Sequence, residues 1–233
     1  IFDYQLPDSW KQDDKLTLRV VRGDGVVVRT IDSSDKSKTK TWTGGPTAAT
    51  KMPAKAGLNR FHWDLRTDPI PGVKNIFVMG SHAGPRVGPG EYTLQLSAAE
   101  KGLEPVETKA IVLADPRIEA SDEDHAAQQK ALEDIRAIVT DVHQSVNQFR
   151  SVKSQLSKRL ALLKTMEDQI ELVELAKSAL KAIGDWESKL IQPKQKTFQD
   201  VINFRNKLNA ELMYLAGEID ANDPKPTIAC VNR

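Results

Sequence analysis

The sequence predicts an α+β chain, an all-β immunoglobulin-like sandwich followed by an antiparallel α-helical bundle. Three observations carry that expectation. Of the 13 glycines, all but Gly184 and Gly217 precede Asp115-Pro116, so turns crowd the first half. Within that half, short runs alternate apolar and polar residues with the period of two that marks a half-buried strand. In the second half Leu132, Ile135, Val139, Val142, Val146, Phe149, Leu156, Leu160 and Leu163 recur at helical spacing, with Lys153 the one polar intruder. A stripe of that period packs along another helix at a shallow angle. The expected division is a sandwich over residues 1–116 and a helical bundle over 117–233, the latter incomplete at its C-terminus.

Ile1 to Leu6 reads as the first strand. Leu16 to Arg22 alternates, stops at Gly23-Asp24-Gly25, and resumes at Val26 to Ile31. Asp-Gly between two β-branched runs is a hairpin signal, because the turn needs residues that tolerate positive φ. Asp32 to Lys55 is polar and lysine-rich, a long mobile loop that Trp42 alone has the area to pin down. Gly57 to Arg66 then places Leu58, Arg60 and His62 on one side and Asn59, Phe61 and Trp63 on the other. The two rings are the largest core candidates nearby, and the other strands are expected to gather around them. Thr67 to Gly90 is a second excursion, dense in proline and glycine; Glu91 to Leu96 and Val106 to Leu113 complete the strands, with a turn at Lys101-Gly102.

Ser121 before Asp122, Glu123 and Asp124 has the form of an N-cap with an acidic first turn. Nothing helix-breaking interrupts Arg117 to Ile183, so the first break is placed at Thr165, with Asp168 as its capping partner. Leu172, Ala176, Ala179, Ile183, Trp186 and Leu190 mark a second helix ending before Pro193, and Val201 to Ile219 a third. The second is too short to cover the first stripe and the third is shorter still, so part of it is left over unless the third lies along the uncovered end. The remainder is expected to be covered from outside these residues, by a further C-terminal helix or a second subunit.

A formal net charge of +1 gives no electrostatic case for nucleic acid, and no apolar run reaches the length of a membrane span. The single cysteine, Cys230, excludes an internal disulfide and any multi-cysteine metal site. A start at Ile1 reads as an internal piece of a longer precursor.

Arg22-Gly23-Asp24-Gly25-Val26-Val27-Val28-Arg29-Thr30, Ala56 to Arg66 with its Phe61-His62-Trp63-Asp64-Leu65-Arg66 block, and Gly88-Pro89-Gly90-Glu91-Tyr92-Thr93-Leu94 occur in that order. Together they resemble the immunoglobulin-like module of the flagellar hook-capping protein. They resemble more closely the C-terminal region of large bacterial sortilin-like propeller proteins, often called glycosyl hydrolases with bacterial-neuraminidase repeats. In that family a helical segment follows the sandwich, and Asp200 to Asn209 with Asp223-Pro224-Lys225-Pro226-Thr227 are similar to it. The resemblance implies a preceding β-propeller as partner and a periplasmic or secreted location. The propeller repeats, with their Ser-x-Asp-x-Gly-x-x-Trp pattern, do not occur in this sequence, so no propeller residue carries over.

No catalytic, cofactor-binding or metal-ligating residue is assigned. Asp64 beside Trp63 has the residue types of a glycosidase, but neither Asp68 nor Glu91 is an identifiable second carboxylate. His62, His82, His125 and His143 form no metal signature; His125 and His143 share a helical face roughly 27 Å apart. Asp122, Asp124 and His125 are better explained as an acidic helix start. Arg22-Gly23-Asp24 is what a hairpin tip needs in any case. Ser81 and His82 lack the register of a nucleophile elbow. Ile76 to Met79 are too apolar for a free loop and should cover the sandwich or dock against a propeller. The leading functional expectation is a non-catalytic structural and interaction module. The alternatives are an accessory part of a glycoside hydrolase or peptidase, through the Thr67 to Gly90 loop, and a carbohydrate- or peptide-binding module using exposed Trp10, Trp42 or Trp186.

Overall fold

Alternating apolar residues set the first six elements, and the pairing of the strands follows from them. In the computed structural model, which describes residues 1–11, 13–34, 41–166 and 168–224, two antiparallel sheets come first and packed helices follow. Strand β1 (Phe2–Leu6) pairs with β4 (Gly57–Phe61), Phe2 opposite Phe61. The second sheet contains β2 (Thr17–Arg22), β3 (Val27–Asp32), β5 (Gly90–Ala98) and β6 (Leu103–Val112), in the order β3-β2-β5-β6.

Both sheets turn their apolar faces to one core containing Leu6, Leu18, Val20, Ile31, Phe61, Tyr92 and Leu94. The period of two in β4 is read correctly: Leu58 is 76% exposed and Phe61 6%. Phe2 meets Phe61 edge-on at 5.6 Å, and Trp63 meets Tyr92 at 5.7 Å. The β2–β3 hairpin closes as expected, with Gly25 at φ 86° and the Asp24 carboxylate accepting from the Val26 amide at 3.1 Å. At the far edge, β6 is exposed along nearly all its length and carries Pro105.

Helix α1 (Asp122–Leu163) begins at the expected Ser121, which forms a full capping box with Asp124. It ends where the break was placed, but by another device. The Thr165 hydroxyl donates to the Leu162 carbonyl at 2.7 Å, so Thr165 closes α1, and Asp168 turns the chain at φ 60°. Helix α2 (Ile170–Leu190) has no side-chain cap at its start. The polar intruder Lys153 lies 3.8 Å from Glu187 of α2, which also accepts from Arg150 at 2.6 Å.

The expected third helix is broken in two, α3 (Asp200–Asn203) and α4 (Leu208–Ala221). The competing side chains are amides. Buried Gln195 donates to the Phe204 carbonyl at 2.6 Å and to Asn206 at 3.0 Å, and Gln192 donates to the Arg205 carbonyl at 2.9 Å. Those carbonyls are thereby taken out of a helical ladder.

Ile76 and Val78 do not cover the sheets but pack against the helices. With Ile70 and Val73 they form a second core against Ile135, Val139 and Val146 of α1, Ile191, and Ala210 and Met213 of α4. Burial of an aliphatic side chain is favourable by about 1.5 to 3 kcal/mol, so four of them hold down a stretch rich in proline and glycine. From Ile135 to Val146 the stripe of α1 is thus covered by the chain's own loop and by α4.

Candidate functional site

The most concentrated polar chemistry lies inside this second core. His143 projects from α1 at the position a buried aliphatic residue would occupy, four residues after Val139 and three before Val146. His82 reaches the same place from the 67–90 loop, and the two ring centroids are 5.8 Å apart. Both rings and Asn209 of α4 are buried.

The hydrogen bonds fix the tautomer of His143. Its Nδ1 lies 2.6 Å from the Pro71 carbonyl oxygen, which only accepts, so Nδ1 carries the proton. Its Nε2 then accepts from the Asn209 side-chain amide at 3.1 Å. His82 Nδ1 likewise faces the Ile70 carbonyl at 3.3 Å, while its Nε2 makes no hydrogen bond among the described residues. Burial holds His82 below the ordinary imidazole range, opposed by the carbonyls of Ile70 and Gly44. Burial lowers His143 too, with Pro71 opposing and the neighbouring His82 reinforcing the shift.

Side chains from α1 stitch the same loop down by its backbone. Arg136 donates to the Asp68 carbonyl at 2.9 Å, Asn147 to that of Gly72 at 2.9 Å, and Arg150 to that of Lys74 at 3.0 Å. Arg66 pairs with Asp220 of α4 at 2.9 Å, and the same carboxylate accepts from the Arg86 amide. Gly84 is required here, because a side chain would collide with the Thr67 carbonyl.

Asp64, Asp68 and Glu91 do not converge, and each has a separate partner. Asp64 accepts from the Arg66 amide at 3.2 Å, Asp68 from the Thr30 amide at 3.0 Å, and Glu91 pairs with Lys109 at 2.8 Å. Asp124 belongs to the capping box. Arg22 bonds both Asp24 and Glu133 of α1, so the hairpin tip is fastened to the helix. Ser81 is exposed and its oxygen accepts from the Ala83 amide, on the outside of a loop whose His82 points inward. Among the described residues no group of three His, Cys, Asp or Glu could hold a metal ion. Cys230 lies outside the described residues.

The tryptophans are not the exposed platforms expected. Trp10 is only 7% exposed and belongs to the core between the sheets. Trp42 is half-buried and its indole N–H donates to the Ile76 carbonyl at 2.7 Å, tying the two long loops together. Trp186 packs on Phe149 with ring centroids 4.8 Å apart.

The histidine pair escaped the sequence reading, which set His143 against His125 on the same helix. The available signal was a polar residue in the apolar phase of α1. Its partner from a non-periodic loop had no signal at all. Comparison with family models, with curated proteins and with solved structures finds no match for this chain.

Proposed function

We propose that this chain is a non-catalytic structural and interaction module, the C-terminal immunoglobulin-like sandwich and helical bundle of a secreted or periplasmic propeller-bearing protein. The observation that carries the first part is the second core. Loop 67–90 leaves the sheets, buries Ile70, Val73, Ile76 and Val78 among the helices, and receives side-chain bonds from Arg136, Asn147 and Arg150. An excursion spent on joining two layers supports a rigid spacer rather than a reactive loop. The wider identity rests on the ordered hairpin, Trp-Asp-Leu-Arg and Gly-Pro-Gly-Glu-Tyr segments described above.

The partner surface in this reading is the end of the helical hairpin, where Leu162, Met166, Ile170, Leu172 and Leu175 are exposed, Ile170 by 79%. Apolar side chains clustered around one turn are a characteristic of interaction sites. The occupant is a second subunit or a further helix of the same precursor. Sedimentation of the full chain over a wide concentration range tests it. Concentration-dependent association abolished by Leu175→Glu supports a second subunit. A monomer whose melting temperature rises when the chain is extended past Arg233 supports the helix. A monomer that gains nothing from extension and binds no hydrophobic dye overturns the proposal.

A further inference from the structure

The buried imidazoles form a polar cluster for which the sandwich-and-bundle reading has no use. Their hydrogen bonds reach the loop and α4. In the neutral form His143 donates from Nδ1 to Pro71 of the loop and accepts at Nε2 from Asn209 of α4. One ring on α1 thereby joins all three elements. A proton added at Nε2 sets two donors against each other. Turning the Asn209 amide over would restore a hydrogen bond, but it would leave a buried charge with a second imidazole 5.8 Å away.

We propose that His143, with His82 and Asn209, is a protonation-sensitive latch: the neutral rings hold the 70–82 loop against α1 and α4, and proton uptake at His143 releases it. The charged groups on the surrounding elements are committed elsewhere. Asp68 accepts from the Thr30 amide, Arg136 bonds the Asp68 carbonyl, Arg66 is paired with Asp220, and Arg150 with Glu187. On α4, Glu211 faces solvent, and Lys207 contributes a further positive charge at the helix start. The ionisable group acting directly on His143 is His82, which opposes a second positive charge.

The direction follows from linkage. The buried rings bind protons less readily than an ordinary imidazole at 6.5, so the open loop takes up protons first as the pH falls. The latch is therefore fully closed above that value and weakens progressively below it. The loop amides report this directly, since Ile70 donates to the His82 carbonyl and Val78 to that of Gly44.

Hydrogen exchange on the full chain between about pH 7.5 and pH 5 provides the test, after correction for the intrinsic exchange rate. The expected result is loss of protection at Ile70 and Val78 by up to about tenfold per pH unit for each ring that titrates, with Leu94 of β5 unchanged. Equal loop protection at both ends of the range overturns the proposal, as does a His143→Gln variant that keeps the full acid response. Should that variant fail to fold, Asn209→Asp decides. A carboxylate facing Nε2 stabilises the imidazolium, so release should move to lower pH, and an unchanged release pH overturns the latch.

Discussion

In the core between the sheets, Leu18, Val20, Ile31, Phe61, Tyr92 and Leu94 all come from strands, at positions that a period of two identifies. In the core beneath the helices, Ile70, Val73, Ile76 and Val78 come from a stretch with no period, interrupted by prolines and glycines. Both sets are equally buried. The difference shows that burial follows from apolar side chains and available partners, whereas legibility follows from regular backbone. A loop with only scattered backbone hydrogen bonds of its own takes further ones from side chains. Here α1 lends it Arg136, Asn147 and Arg150.

Four substitutions probe how independent the two cores are, in descending order of effect. Val139 is fully buried between the loop and α4, so Val139→Asp should cost about 4 kcal/mol or more by burying an unpaired charge. Denaturant unfolding measures the cost. Hydrogen exchange should show the loop and helices opening while β5 stays protected; equal loss in β5 would make the two cores one cooperative unit. Next, Phe61→Ala should cost about 3 to 5 kcal/mol and Ile76→Ala about 2 to 4, the ranges for truncating buried aromatic and aliphatic side chains. Similar losses would establish that the loop is as much core as the strand; a loss below about 1 kcal/mol for Ile76→Ala would mean that loop burial stabilises little. Last, Glu133→Gln removes one of the two carboxylate partners of Arg22, whose side chain is 26% exposed against 39% for Glu133. An ion pair this open to solvent contributes less than about 1 kcal/mol, so the melting temperature should move little and less still in high salt.

Six strands, the Asp-Gly hairpin, the Ser121 cap and the end of α1 were legible because each follows from a few neighbouring residues. The break between α3 and α4 was not. Val201 to Ile219 has helical spacing throughout, and only the fold brings Gln192 and Gln195 onto the carbonyls of Arg205 and Phe204. Covalent distance hid the candidate site in the same way. His143 stands 61 residues from His82 and 66 from Asn209, so no spacing rule links them. Trp10 and Trp42 misled for a related reason: a large ring in a polar stretch looks exposed until the surface it packs on is known, whereas Trp186 already stood in the apolar stripe of the second helix.

The exposed strand β6 has a further consequence, for how copies of the chain meet. An outer strand offers unpaired amides and carbonyls to any other strand, and exposed Val106, Ile111 and Leu113 would favour such an encounter. Pro105 removes one amide from that edge and fixes its own φ, while Glu107 and Lys109 alternate with the apolar residues and are held by Gln95 and Glu91 of β5. A strand arriving from a neighbour would have to strip water from both charges and find no donor at the proline. Aggregation by sheet extension is thereby opposed at this exposed edge of the four-stranded sheet.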